Sequence, residues 1–505
     1  MLPGTVPADP RVTQLIDEQI NARLRAENVT PAGRADDATL LRRIYLDLLG
    51  RPPSATEARN FLDDAAQDKV HRLIERLRLY PETAAHWRRV IAAWLQVADI
   101  QNRGLQGNEL LDYLAQAVAD NRGWDVVAQE LLDPNSEKAG QRGAAAYLGH
   151  FLRSEDKKAG REAATVAVAS AFFGTQIQCA RCHNHPTVPA WTKAHFDGLR
   201  AFFDQTEADR DISPRVSVYR LRDNSPGKDA ARPMFLDGTK FEIGSRPRAQ
   251  LARHALTPKA PHFKRAVVNR VWKQFLGRGL VEPVDMIHDG NPGSHPQLLA
   301  LLADDFATNK FNFDRLIASI MHSEAYLRSA RWTGPAEQRP APELFAVAEL
   351  RPLSGPQMAW SVAVSTRFDR DIVERAQRLG LPQVLRGISP ETRYAWESTE
   401  DYIKLSDTFR AGGSPTTARH AVYLAFDPFM KRLLDPGWGL VKELADESDD
   451  EAAARLAYLA ILNRRPTADE TDAVREHLKS AKDRKTGCQD LTWALIASAE
   501  FRFNH

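Results

Sequence analysis

A stretch near the start of the chain is written a second time near its end, and this repeat constrains the fold more than any other feature. Tyr45-Leu46-Asp47-Leu48-Leu49-Gly50-Arg51-Pro52-Pro53-Ser54-Ala55-Thr56-Glu57 pairs with Tyr458-Leu459-Ala460-Ile461-Leu462-Asn463-Arg464-Arg465-Pro466-Thr467-Ala468-Asp469-Glu470. Each copy is an apolar helical run closed by Gly or Asn, residues that tolerate a left-handed backbone, followed by an Arg and Pro turn. A Ser/Thr-x-x-Glu capping box then opens the next helix. A helix–turn–helix hairpin used twice is architecture. Neither copy has a basic recognition face, and 68 basic against 66 acidic residues leave a net charge of +2. Nucleic acid and anionic membranes therefore gain no electrostatic support as partners.

Helical periodicity governs most of the remaining chain. Leu15, Ile16, Ile20 and Leu24 fall on one face of a helix over Val12–Ala26. Asp36 and Asp37 are natural N-caps for a helix carrying Leu40, Leu41, Ile44, Tyr45, Leu48 and Leu49, which Gly50 ends. Further helices are predicted over Val70–Leu79, Ala84–Val97, Asn108–Ala119, Trp124–Leu132, Phe263–Leu276, Leu298–Phe306 and Phe313–Ser323. The longest weakly polar stretch, Ala163–Gly174, falls short of the roughly 20 apolar residues that span a bilayer. It reads as a buried helix, so no membrane span is expected.

The pattern changes between Arg210 and Arg248. Val216–Leu221 alternates, as do the runs at Met234–Leu236 and Phe241–Ile243, with Asp237-Gly238 as a turn signal between the latter two. The expected architecture is mainly α: a multi-helical two-domain protein with a small β insertion between the halves. The halves are drawn at residues 1–209 and 249–505, with the insertion at 210–248. Gly412-Gly413-Ser414-Pro415 reads as a loop, and Glu282–Pro296 as a long polar one carrying Asp285, His288, Asp289, Asn291 and His295.

The chemistry concentrates at Cys179-Ala180-Arg181-Cys182-His183, which holds two of the three cysteines and continues into Asn184-His185-Pro186. C-x-x-C-H suits covalent c-type haem: both thiols add to the haem vinyl groups and the histidine becomes an axial iron ligand. Cys179, Cys182, His183 and His185 are also a Cys2His2 set for zinc, although zinc ligand pairs are usually separated by a longer loop. A Cys179–Cys182 disulfide is a third possibility. Cys488 reads as a small core residue. There is no G-x-x-x-x-G-K-[ST], no G-x-S-x-G and no dinucleotide fingerprint, which removes the usual grounds for nucleotide-dependent chemistry or a serine hydrolase.

Taken in order, these motifs resemble a known pair of domains. Gly33–Leu62 and Gln178–Phe203 resemble the planctomycete cytochrome-like domain PSCyt2 (DUF1549). Asn269-Arg270-Val271-Trp272, Phe275–Pro283, Asn291–Pro296, Asp490–Ile496 and Ser498–Phe501 resemble its partner PSD1 (DUF1553). These pieces span nearly the whole chain, apart from the central β section and residues around 360–420. The resemblance implies an exported protein of Planctomycetes or related bacteria, often with a cytochrome c-like domain upstream. It carries over Cys179, Cys182, His183, His185, Pro186, Trp191 and Phe202-Phe203. On the PSD1 side it carries over Asn269, Arg270, Trp272, Asp285, Asn291, Ser294, His295 and Pro296. Three positions depart from the pattern: His195 stands for an acidic residue before Phe196, Met286 for a second acid after Asp285, and Gly293 for a second proline.

Three functional readings follow. In the first, the chain is an exported c-type haem protein of the periplasm or cell surface, with Cys179, Cys182 and His183 binding haem c. Its distal ligand comes from His295, His195 or Met286, with His295 favoured for its place in the polar loop. A sixth ligand suits electron transfer with a redox partner or upstream cytochrome domain, and an open position suits oxygen or peroxide chemistry. Met1-Leu2-Pro3-Gly4-Thr5 lacks the basic and apolar regions of a secretory leader, so this reading expects a leader or upstream domain ahead of residue 1. In the second, zinc at Cys179, Cys182, His183 or His185 works with Asp285, His288, Asp289 and His295 on an extracellular polymer. In the third, the helices form a non-catalytic scaffold that binds a partner or a polysaccharide, with Trp191, Trp272 and Trp360 as sugar platforms.

Overall fold

The helix ends fall where the sequence places their caps. In the computed structural model, which describes residues 9–97, 109–212, 217–227, 230–244, 246–378, 396–397, 399–410 and 418–505, Asp36 caps the Asp37–Leu49 helix by accepting from Thr39 N–H. Gly50 closes that helix at φ +66°. Ser54 with Glu57 and Thr467 with Glu470 both form complete capping boxes. The Gly412–Pro415 loop and Met1–Thr5 lie outside the described residues. On the first helix, Pro10–Ala26, the buried stripe is Val12, Ile16, Ile20 and Leu24. Leu15, expected on that face, is only half-buried; a strict four-residue spacing selects Val12 in its place.

Among the described residues, strands are confined to two two-stranded antiparallel sheets and the other regular structure is helical. The protein is mainly α with small β elements, as the patterning predicts. No helix among the described residues is long and apolar enough to cross a membrane. β1 (Thr206–Ile212) pairs with β2 (Ser217–Asp223) from Thr206↔Asp223 to Ile212↔Ser217. β2 is the alternating run read from the sequence. β1 carries Glu207, Asp209, Arg210 and Asp211, which give no apolar alternation to read. Gly238 forms the expected turn at φ +84°, with a Met234–Lys240 bridge whose flanking bonds run from Phe235 N–H to the Thr239 carbonyl and from Phe241 N–H to the Pro233 carbonyl.

The chain forms two compact units. One comprises Met1–Pro31, Trp87–Tyr326 and Glu337–Ala346; the other comprises Ala32–His86, Leu327–Ala336 and Val347–His505. Each takes residues from both 1–209 and 249–505. In the first unit, Trp87, Trp94, Trp124, Phe275 and Phe313 make an aromatic core, with Phe313 edge-on to Trp87 at 5.2 Å and stacked on Trp124 at 5.3 Å. These rings bury large apolar areas and fix the helices around them.

In the second unit the two repeated hairpins pack together. Asn463 Nδ2 donates to the Pro53 carbonyl at 3.0 Å, and its Oδ1 accepts from the buried Arg42 at 2.6 Å. Arg42 also donates to the Phe501 carbonyl at 2.7 Å. This pairing is the physical reason that the two copies of the repeat share one unit, while Met1–Pro31 belongs to the other. A short sheet of β3 (Arg351–Pro352) and β4 (Phe503–Asn504) joins them, with Arg351 gripping the buried Asp47 at 2.9 and 2.8 Å.

Candidate functional site

The Cys motif lies in the first unit, at the end of a helix that the sequence starts and stops firmly. Asp156 caps the Lys157–Phe173 helix by accepting from Ala159 N–H. Gly174 ends it at φ +61°, and the Thr175 N–H reaches back to the Ala169 carbonyl at 3.0 Å. This is a Schellman closure, which needs a residue free of left-handed strain. A Cβ at Gly174 would also come within 2.7 Å of Ile287 Cδ1. The chain then enters a single 3₁₀ turn, Ile177–Arg181. Residues three apart eclipse in such a turn. Ile177 and Ala180 are accordingly both buried, while Cys179 and Cys182 are both exposed, with free thiols.

His183 follows and is also exposed. Its Nδ1 lies 2.7 Å from the Asn184 carbonyl. A carbonyl only accepts, so Nδ1 carries the proton and Nε2 keeps its lone pair free. Metal-ligating histidines characteristically hold their second nitrogen this way. Arg181 lies against the Cys182 sulfur, which is the main reason its pKa is raised, with Glu162 contributing next at 3.4 Å.

His185 is oriented the opposite way. It is buried, and its Nδ1 accepts the Val188 N–H at 3.1 Å and the Thr187 N–H at 3.3 Å. Its lone pair is therefore spent on the backbone and Nε2 carries the proton. Burial, then the nearby His288 and His183, lower its pKa. Its ring meets Trp191 edge-on at 5.2 Å, and Trp191 meets His288 at 5.3 Å. Trp191 thus sits between two histidines, one from the Cys-motif segment and one from the polar loop.

That loop is held against the motif segment by the residues that sequence reading singled out on the PSD1 side. Met286 forms a backbone bridge with Thr175, and Ile287 N–H donates to the Gly174 carbonyl at 3.0 Å. Asp285 accepts from Ser170 Oγ and from Gln176 Nε2, both at 2.6 Å. Arg270 donates to the Ser170 carbonyl at 2.8 Å and to its Oγ at 3.1 Å. Asn269 ties the Val281 and Val284 carbonyls, and Asn291 ties those of Glu282 and Met286. These polar side chains are loop fasteners. Nothing in the sequence pointed to Ser170 and Gln176, because their partner lies more than a hundred positions away.

The three departures acquire physical roles. His195 occupies the N3 position of a capping box, with Nδ1 accepting the Thr192 N–H at 3.3 Å, which is the task an acidic residue performs there. Gly293 adopts φ +81°, which proline, locked near −65°, does not reach. Met286 contributes its backbone bridge. His295 is buried beside Phe345 at 5.5 Å, with Nδ1 3.1 Å from Ser294 Oγ and Nε2 enclosed without a hydrogen-bond partner among the described residues. Burial, reinforced by Arg23, pushes its pKa down to about 4. His288, which the sequence places in the same loop, packs instead against Trp191.

Among the described residues, no three His, Cys, Asp or Glu side chains are already gathered as a metal cage. The donors that fit c-type haem are nonetheless in order: two exposed thiols on one side of a turn and an adjacent imidazole with Nε2 open. Trp191, Trp272 and Trp360 are 5%, 0% and 0% exposed, so none presents a ring face to a sugar. Cys488 is fully buried, and burial pushes its thiol pKa up.

Residues 15–208 match the model of PSCyt2, a protein of unknown function (DUF1549), and residues 247–478 match that of PSD1, a protein of unknown function (DUF1553). The second match runs through residues 360–420, which the motifs had left uncovered, and stops before Asp490–Phe501. No curated protein and no solved structure matches the chain. With the two domain models matching in succession over most of its length, the chain belongs to the proteins that join a PSCyt2 (DUF1549) domain to a PSD1 (DUF1553) domain.

Proposed function

We propose that this protein is an exported c-type haem protein of the periplasm or cell surface, working in electron transfer or redox chemistry. Cys179 and Cys182 would carry the covalent links and His183 the axial nitrogen. The observation that supports this most is the tautomer of His183. Its Nδ1–H is committed to the Asn184 carbonyl, so Nε2 is left as the donor beside two exposed, free thiols. The zinc set draws less support, because His185 already uses its lone pair on backbone N–H groups.

When bound, haem supplies one-electron chemistry whose potential depends on its axial ligands and burial. The chain's own part is to expose both thiols to the attachment machinery and to hold the imidazole in its ligating tautomer. Attachment to C-x-x-C-H takes place outside the cytoplasm, which is why export belongs to the proposal. A cytochrome domain or redox protein is then the natural partner.

The test is an absorption spectrum and pyridine haemochrome assay on the full chain, expressed with an export signal and haem-maturation machinery. A c-type band that survives acid-acetone extraction and is lost in Cys182→Ser is expected. Folded protein without that band, under working maturation, overturns the proposal. Elemental analysis showing one zinc and no iron would then favour the metal-enzyme reading.

A further inference from the structure

We infer that the Asn184 side chain is a positioning residue for His183: by fixing the carbonyl beside the imidazole, it decides which ring nitrogen is left as a ligand. The inference rests on the haem reading above for the group that is ligated, and on the hydrogen bonds of this segment for the rest. His183 is exposed, so packing does little to hold its ring. What holds it is the 2.7 Å bond from Nδ1 to the Asn184 carbonyl, the next residue along the chain. That bond keeps its geometry only while the Asn184 peptide group is itself kept from turning.

Asn184 is held by a helix that starts nine residues later. Its Oδ1 accepts the Lys193 N–H at 3.0 Å. A backbone N–H only donates, so this partner fixes which way the amide faces. Lys193 opens the Lys193–Arg200 helix, and the first N–H groups of a helix find no carbonyl within it. The Thr192–His195 capping box satisfies the Thr192 and His195 N–H groups and leaves that of Lys193 to an outside acceptor. Next to this rung, the His185 N–H donates to the Trp191 carbonyl at 2.8 Å. The residues just after the Cys motif are thus seated on the start of the helix by two bonds. Asn184 links that capped helix end to the ring nitrogen of His183. A fixed carbonyl on one ring nitrogen also raises the basicity of the other, which gives Asn184 a handle on the potential of a bound haem.

The test reads the tautomer in the haem-free full chain, from nitrogen-15 shifts of labelled histidine under alkaline conditions, with His183→Gln assigning the resonance. It compares wild type, Asn184→Ala, Lys193→Ala and Lys193→Pro. Proline removes the N–H yet suits the first helical position, and Thr192, at φ −93° and ψ 165°, has the extended backbone that precedes proline. Wild type is expected to carry the His183 proton on Nδ1. Asn184→Ala and Lys193→Pro should both move it towards Nε2, the form an unrestrained imidazole favours, and combining them should add nothing. Lys193→Ala, which keeps the N–H, should match wild type. A wild-type His183 protonated on Nε2, an Asn184→Ala protein that matches wild type, or a Lys193→Ala protein that matches Lys193→Pro overturns the assignment. In the haem-loaded chain Asn184→Ala should raise the midpoint potential; an unchanged or lowered potential overturns its role towards haem. Absence of any pyridine haemochrome in wild type instead overturns the haem reading and leaves the tautomer result standing, so the two failures are told apart.

Discussion

Arg51 and Arg464 make the same clamp on the two copies of the repeated hairpin. Arg51 bonds Glu57 at 2.9 and 3.2 Å and Glu82 at 3.0 and 3.1 Å, and its guanidinium lies over Tyr45. Arg464 bonds Glu470 twice at 2.7 Å and Glu500 at 2.6 and 2.9 Å, and lies over Tyr458. The first glutamate in each case is the N3 residue of the capping box. The repeat therefore extends beyond the matched residues to Glu82 and Glu500, which arrive from later helical segments. The environments differ, however. Burial pulls the pKa of Arg51 down, but Glu57 and Glu82 together hold it well above its ordinary value.

This difference predicts unequal costs. Glu82 is fully buried beside Arg51, so Arg51→Ala leaves a buried carboxylate unpaired and should cost about 3–5 kcal/mol. Glu470 and Glu500 keep 30% and 32% of their side chains exposed, so water can take over and Arg464→Ala should cost only about 1 kcal/mol. Chemical denaturation of both variants checks this. Equal losses would show that burial is not what separates the two clamps.

Acid should release the second clamp within a defined window. The hydrogen bonds from Arg464 hold the Glu470 pKa at about 2, against 4.5 when unperturbed. A depressed carboxylate stabilises the folded state above its unfolded pKa, and that contribution is lost as pH falls through the folded value. The stability gap between wild type and Glu470→Gln should therefore stay constant above pH 4.5 and narrow from there towards pH 2. Denaturation midpoints measured at pH 7, 5, 4 and 3 would reveal the narrowing; a constant gap down to pH 3 would count against it.

Asp285 should act as a fastener. Its carboxylate accepts two 2.6 Å bonds, so Asp285→Ala is expected to cost about 1.5–3 kcal/mol. Ser170→Ala should cost less. Because the two side chains touch, the double variant should lose less than the sum of the singles, by roughly 0.5 kcal/mol or more. Strict additivity in such a cycle would show that the contact carries no energy.

Restoring the proline of the family pattern should do harm here. Gly293→Pro demands φ near −65° at a position that adopts +81°, and a Cβ would lie 2.3 Å from the Leu280 carbonyl oxygen. A loss of more than about 1 kcal/mol is expected. A neutral or stabilised variant would show that the turn readily rearranges.

Much of this molecule was legible in its sequence because the information is local. Caps at Asp36, Ser54 and Thr467 and the left-handed stops at Gly50 and Asn463 are decided by side chains within a few residues of the backbone they serve. The helical class followed from these same local signals. Tertiary structure alone decided what depends on groups distant in sequence. It turned Asp285 from a candidate acid into the bracket for Ser170 and Gln176, made His195 a capping residue and enclosed His295. It also brought His288 to Trp191. A histidine's residue type is written in the sequence, but which of its nitrogens keeps a lone pair depends on the donor or acceptor that folding puts beside it.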